Sequence, residues 1–452
     1  MTTRYRTLIA LAIADALLAG ARDVASARLR VEHALGSRAR WITRLTRTMV
    51  ERFTGEWRDT HRDALARAIS QQSAFEHAWQ SPQPSQPQKS PQLRNVPTVT
   101  PQMSPMPAAL IDCVVPNLPT PNDVARWLDM SIDELLWLTG PPERPLRSGW
   151  HTTHYHTRWL RKRSGGVRLL EIPKAQLRAH QQRLLHGLLE YVPLHEAVHG
   201  FRPRHSCVTN ARPHVGQAVV MRMDLEDFFG NIGGGKVYAL FTTLGYPAAA
   251  ARALTRLTTC ATPANAFDAE AGKLSWLTRK RLQSPHLPQG APTSPALANL
   301  CAFNFDVRVQ ALAERFGVNY TRYADDLNFS GDATLKFRAH VLQAHVAAIA
   351  LEEGFHINHR KTKVMVAAAR QRVTGIVVNR TTNIARDDYD RLKATLHNCA
   401  KHGPDTQCTS DIHTFKNHLS GHIAHLSAIH PARGVRLKQV FNQIPWITSL
   451  KQ

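Results

Sequence analysis

Asn319-Tyr320-Thr321-Arg322-Tyr323-Ala324-Asp325-Asp326-Leu327-Asn328-Phe329-Ser330 is the stretch that decides the fold class of this 452-residue chain. Aromatic and apolar residues alternate with polar ones on both sides of two adjacent aspartates, the pattern of two half-buried strands joined by a tight turn. Adjacent carboxylates in such a turn repel, and enclosing them costs several kcal/mol unless a cation compensates. For Tyr323-Ala324-Asp325-Asp326 by itself, a solvated turn is the simpler reading. Far upstream, however, the strand-like run Ala218-Val219-Val220-Met221-Arg222-Met223-Asp224-Leu225 also ends on a carboxylate, and Asp227, Phe228 and Phe229 follow it. Three carboxylates from two places in sequence suit hard divalent cations. Nucleotidyl transfer asks for such a set: two Mg²⁺ ions about 3.5–4 Å apart, one activating a 3′-hydroxyl and one holding the triphosphate.

The rest of the composition agrees. Lys and Arg number 57 against 34 Asp and Glu, a net charge of +23, so the expected partner is a polyanion. With 43% hydrophobic residues the cations are mounted on a folded body. Six scattered cysteines without paired spacing argue against a disulfide framework and fit a reducing, cytoplasmic compartment. The apolar run Leu8 to Ala21 imitates a secretory signal, but Asp15 interrupts it. Leu8, Leu11, Ala12, Asp15 and Leu18 read instead as one amphipathic helix. No stretch of about 20 apolar residues is present, so no membrane span is expected.

Along the chain, residues 1–80 contain no Pro and three Gly, and their Arg, Ala and Leu spacing predicts a helical extension of two or three helices. Residues 81–119 open with a Pro/Gln/Ser-rich stretch read as a linker, partly polyproline II. A second folded unit begins near 120, where Thr120 or Asn122 is the candidate N-cap of a helix stopping at Gly140. Beyond it, Val167 to Ile172, Ala218 to Met223 and Val373 to Val378 look like strands among helices, and the chain turns helical and basic after Asn379.

These motifs carry a resemblance. Tyr323-Ala324-Asp325-Asp326 resembles the YxDD box of reverse transcriptases, and Asp224 with Asp227-Phe228-Phe229 resembles their first aspartate motif. Leu287-Pro288-Gln289-Gly290-Ala291-Pro292-Thr293-Ser294-Pro295 is similar to the family's LPQG…SP segment, which shapes the floor of the nucleotide pocket. Asn210-Ala211-Arg212-Pro213-His214 and Val373-Thr374-Gly375 resemble the NAxxH and VTG elements of the retron type, and Gly200-Phe201-Arg202-Pro203-Arg204-His205-Ser206 fits bacterial reverse transcriptases generally. The resemblance runs from about Leu146 to the C-terminus. It implies an α+β right-hand polymerase, with fingers and a ferredoxin-like palm over 120–379 and a helical thumb over 380–452. It implies an enzyme that copies part of a cognate noncoding RNA, of the msr-msd type, from an internal guanosine 2′-hydroxyl, giving branched RNA-linked msDNA. An antiphage role beside an effector protein is part of the same expectation. Another bacterial reverse transcriptase, group II intron-like or phage-defence, is the alternative; a non-catalytic RNA-binding scaffold is a more distant one.

Residue roles follow from that resemblance. Asp224, Asp325 and Asp326 are expected to ligate both Mg²⁺ ions. Arg168, Asp227, Phe229, Gln289, Gly290 and Lys361 are expected around the incoming dNTP, with Phe229 excluding a ribose 2′-hydroxyl. Lys363 is an alternative to Lys361, and Lys162 a weaker candidate than Arg168. For Phe229 core packing competes, for Asp227 a capping role, and for Gln289-Gly290 a purely structural turn. Asn210, His214, Val373, Thr374 and Gly375 are expected to contact RNA or the primer end, with internal packing as the competing account. Cys399, His402, Cys408 and His413 could form a zinc site, but binding of the RNA–DNA hybrid by the helix around His422 and His425 explains that His-rich region more simply.

Overall fold

The computed structural model describes residues 3–19, 21–53, 62–79, 91–94, 101–140, 154–161, 166–270, 274–408 and 411–446. Lys162, the Ser164-Gly165 turn and most of the Pro/Gln/Ser-rich stretch therefore lie outside the described residues, while the helix Ile132–Thr139 stops at Gly140 as expected. The chain divides into two compact units. One comprises Met1–Asp112, Pro116–Leu136 and Phe241–Leu254; the other comprises Cys113–Val115, Trp137–Leu240 and Thr255–Gln452.

In the first unit the described N-terminal residues form five helices rather than two or three: Thr3–Leu18, Val24–Leu35, Arg40–Arg52, Arg62–Ser70 and Ser73–His77. Gly36, with φ 58°, ends the second helix, because the left-handed conformation there is cheap only without a Cβ. Ile9, Ile13, Leu17, Val31, Ile42, Leu45, Met49, Leu65, Ile69 and Phe75 share one core. The buried stripe of the first helix is thus centred on Ile9, Ile13 and Leu17, while Leu8 is 48% exposed, a phase different from the expected one. Asp15 stays at the edge of that core, where Arg62 Nη2 donates to its Oδ2 at 2.7 Å. Thr120 caps the helix Pro121–Trp127 through a reciprocal capping box with Asp123.

The second unit is built on an antiparallel sheet. A hairpin of β1 (Tyr155–Arg161) and β2 (Val167–Pro173) precedes it. The sheet itself contains β3 (Val219–Asp224), β4 (Asn319–Tyr323), β5 (Asp326–Gly331) and β6 (Lys363–Val366) in the order β4-β5-β3-β6. Helices join β3 to β4 and β5 to β6, giving a β-α-β-β-α-β connectivity. A short hairpin follows, β7 (Arg372–Val373) with β8 (Ile376–Val377), then helices Arg386–His402, Ile412–Ile429 and Pro431–Asn442. Alternation sends Met221, Met223, Tyr320, Leu327 and Phe329 to one buried face of the sheet. Thr321, Asn328, Ser330, Arg222, Asp224 and Asp326 share the other. No helix among the described residues is long and apolar enough to cross a membrane.

Candidate active site

Register brings the carboxylates together. Asp224, the last residue of β3, pairs with Asp326, the first of β5, and Asp326 pairs in turn with Tyr323 at the end of β4. Ala324 and Asp325 form the two-residue turn between them, and the backbone N–H of Leu225 donates to the Asp325 carbonyl at 2.9 Å. Ala324 has φ 57°, a left-handed conformation that a side chain resists, so neighbours must hold this turn.

Two devices do so. Gly200 lies against the turn so closely that a Cβ there would meet the Ala324 nitrogen at 2.5 Å, and Asn299 Nδ2 donates to the Gly200 carbonyl at 2.8 Å. Beneath, Arg322 is fully buried and donates to Asp306 through Nε at 2.7 Å and Nη2 at 2.6 Å. Its Nη1 reaches the Ala324 carbonyl and Asn299 Oδ1, each at 3.0 Å, and its guanidinium lies 5.6 Å from the centre of the Phe228 ring. None of Arg322, Asp306, Asn299 or Gly200 was singled out for this role from sequence. The available signal was an arginine inside an otherwise uncharged strand, between Thr321 and Tyr323.

The electrostatics of the corner are those of a cation site. Asp224 is 3% exposed, and Lys361 Nζ sits on both its oxygens at 2.8 and 3.0 Å. Lys361 is brought there by the single turn His359–Lys361, anchored by the Asn358 N–H on the Asp224 carbonyl at 2.8 Å. Lys363 instead lies on β6 opposite Arg222. Arg222 donates to Asp326 Oδ1 through Nε at 3.0 Å. Burial, then the charges of Asp224 and Asp326, raises the Asp325 carboxyl above its ordinary range. Burial raises Asp326 too, although Arg222 opposes it. Clustered, partly desolvated carboxylates, one already gripping a cation with both oxygens, are a donor set that fits hard divalent ions.

The other expected residues are spread around this corner. Phe229 is half-buried, its ring centroid 5.7 Å from that of Phe228 and 6.2 Å from that of Phe201. Asp227 has φ 43°, accepts from Asn231 N–H with its backbone carbonyl, and pairs with Arg281 Nη2 at 3.2 Å. Gln289 is held by its carbonyl, which accepts from Glu171 N–H on β2 at 2.9 Å. Gly290 adopts φ 135°, and a Cβ there would stand 3.0 Å from the Glu171 carbonyl, so glycine is required by both conformation and space. Arg168 is exposed on β2, opposite Leu160.

One expectation needs correction. Asn210, His214 and Val373 are 0% exposed, so in this structure their side chains cannot reach an RNA. His214 bridges the sheet, with Nδ1 2.7 Å from Ser330 Oγ and Nε2 2.7 Å from Thr321 Oγ1; burial pushes it down to about 3, so the ring is neutral. Thr374 and Gly375 have φ 46° and 87° and form the two-residue turn between β7 and β8, with Thr374 Oγ1 donating to the Cys207 carbonyl at 3.2 Å. Backbone geometry accounts for that glycine. Nor do Cys399, His402, Cys408 and His413 converge: Cys399 belongs to the apolar core of the C-terminal helices. Among the described residues, the one group of three or more His, Cys, Asp or Glu whose ligand atoms converge is Glu171, Cys260 and His286.

Comparison with known proteins accords with this site. The reverse transcriptase (RNA-dependent DNA polymerase) family profile matches residues 160–386. The Retron Mx65 reverse transcriptase of Myxococcus xanthus is 38% identical over 321 residues, covering 70% of this chain and 70% of that protein. The Retron Mx162 reverse transcriptase of the same organism is 34% identical over 70% of this chain and 65% of its own length, and the Retron Ec86 reverse transcriptase of Escherichia coli 33% identical over 52% and 67%. The strand-end aspartate, the hairpin with its paired aspartates and the Leu287–Pro295 segment all fall inside the matched region, and on this extent of similarity the chain belongs to the reverse transcriptases, RNA-directed DNA polymerases, of the retron type.

Proposed function

We propose that this chain copies part of a cognate noncoding RNA into DNA, priming from an internal guanosine 2′-hydroxyl so that the product is a branched RNA-linked DNA. The observation that carries the catalytic part is the corner where Asp224 pairs with Asp326, next to Asp325 in the turn, with Lys361 on the Asp224 carboxylate. Reverse transcriptases use divalent metal ions; here two Mg²⁺ ions held by the three aspartates would lower the pKa of the attacking hydroxyl and neutralise the triphosphate. With Asp224 holding an ion, the Lys361 ammonium that now sits on that carboxylate would be available to the leaving pyrophosphate. Gln289 and Gly290 present backbone to the nucleotide, and Arg168 supplies a guanidinium for the phosphates. Phe229, backed by Phe228 and Phe201, stands where a ribose 2′-hydroxyl would clash.

In this reading β3 to β6 form the palm, β1 and β2 the fingers, and the helices after 380 a thumb that follows the RNA–DNA hybrid through phosphate contacts. Asn210, His214, Val373 and Thr374 act from inside, bracing the sheet face below Asp326. The helical extension before residue 80 is the candidate dock for RNA or an effector protein in cytoplasmic antiphage defence. The test uses purified protein with the inverted-repeat RNA transcribed beside its gene. Mg²⁺-dependent dNTP incorporation and a product cleaved only by a 2′,5′-debranching activity are expected. Replacing Asp325 and Asp326 by Asn should abolish synthesis and leave the RNA gel shift intact. Unbranched DNA would indicate another class of bacterial reverse transcriptase; an RNA shift without synthesis would indicate a scaffold.

A further inference from the structure

A second cluster of ionisable side chains lies away from the three aspartates and takes no part in the chemistry above. Glu171 of β2, Cys260 and His286 each offer one ligand atom, and these atoms all lie within 4.8 Å of one another. The backbone sets this up: Cys260 and His286 exchange both N–H···O bonds, at 3.0 and 2.9 Å, as an antiparallel bridge. His286 Nε2 is 2.8 Å from Glu171 Oε2 and 3.9 Å from Cys260 Sγ. The His286 and Glu171 side chains are 2% and 3% exposed, and Cys260 is half-buried.

We propose that Glu171, Cys260 and His286 form a site for a divalent transition-metal ion of the zinc class, which fastens β2 to the segment carrying Gln289 and Gly290. The mixed O, S and N donor set selects such an ion over Mg²⁺ or Ca²⁺. Tetrahedral coordination at ordinary zinc bond lengths places donor atoms roughly 3.3–3.6 Å apart. The observed 2.8 and 3.9 Å bracket that value, so a few tenths of an ångström of side-chain movement closes the site.

The surrounding hydrogen bonds orient the donors as in metal sites. His286 Nδ1 faces the Ser284 carbonyl at 2.8 Å and donates its proton there, directing Nε2 at the cluster, and Thr262 Oγ1 donates to Glu171 Oε1 at 2.7 Å, so that Oε2 faces His286 Nε2. Charge also balances. Burial pushes the Cys260 thiol well above its ordinary range, so without metal its proton stays on sulfur. Carboxylate and thiolate together offset the two charges of M²⁺, and binding displaces the thiol proton, so no net charge is buried. The fourth position falls to a solvent molecule.

The inference does not depend on the reading of the aspartate corner, because its readout is a sulfur–metal bond that no carboxylate can give. The full chain, stripped with chelator and titrated with Co²⁺ anaerobically, should develop thiolate-to-cobalt charge transfer and tetrahedral d–d bands saturating at one equivalent. Zn²⁺ should bleach them, while millimolar Mg²⁺ should not. Cys260→Ser should remove the charge-transfer band, and His286→Gln should weaken Co²⁺ binding at least tenfold. No band in the unsubstituted protein, or a band that survives in Cys260→Ser, overturns the proposal.

Discussion

The buried pair under the Ala324-Asp325 turn gives the sharpest test of how this structure works. Both side chains of Arg322–Asp306 are 0% exposed, and two parallel N–H···O bonds of 2.7 and 2.6 Å join them. Asp306→Leu leaves a guanidinium uncompensated in the core, which costs about 3–5 kcal/mol. Arg322→Met strands the Asp306 carboxylate with only the Tyr320 hydroxyl, 2.9 Å away, and should cost a similar amount. The double variant removes both charges, losing hydrogen bonds at Ala324, Asn299 and Tyr320 worth about 1 kcal/mol each. Denaturant unfolding should therefore show a coupling of at least about 3 kcal/mol between the two sites, far outside the roughly 0.5 kcal/mol expected of independent ones. Catalysis separates positioning from stability. With stability largely recovered, the double variant still lacks the 3.0 Å bond from Arg322 to the Ala324 carbonyl, and primer extension should remain depressed roughly a hundredfold by misplacement of the neighbouring carboxylates. Single variants within about 1 kcal/mol of the parent, or a double variant with full activity, would refute the reasoning.

Three further outcomes are expected. Asp325 has a carboxyl pushed upward by burial and by its two neighbouring aspartates, so its ionisation opposes the metal-free fold. That penalty is absent in acid and develops as pH rises through the elevated value, so metal-free Asp325→Asn should melt above the parent at neutral pH, the difference closing below about pH 4. Mg²⁺ should raise the parent's melting temperature more than the variant's. Gly200→Ala would place a methyl 2.5 Å from the Ala324 nitrogen, and incorporation should fall about a hundredfold while circular dichroism stays near that of the parent; unchanged turnover would count against the close contact. Phe229→Ala should narrow the dNTP over rNTP preference by about 10–100-fold in kcat/KM, whereas a change in stability alone would assign the ring to packing.

Period-2 alternation and isolated charges at strand ends made β2, β3 and the β4–β5 hairpin legible as sequence, because a half-buried strand imposes that pattern locally. The carboxylates at Asp224, Asp325 and Asp326 stood out for the same reason: nothing local justifies them. Spacing was a poorer guide where a motif's purpose is internal. Val373-Thr374-Gly375 reads as a recognition element, yet its glycine answers to a turn with φ 87°. Asn210 and His214 read as exposed contacts and are enclosed. The choice between Lys361 and Lys363 was also closed to sequence, since it depends on a single turn that lifts one ammonium onto Asp224 and leaves the other on β6.

The sequence by itself determined the strand pattern, the carboxylates, the basic shell and the family, since each is written in residue type and order. Tertiary structure alone decided which charges meet. Arg322 with Asp306, Lys361 with Asp224 and Glu171 with His286 are joined across 16, 137 and 115 residues. Such pairings follow from strand register and loop closure, and their strength comes from burial, neither of which a local pattern encodes.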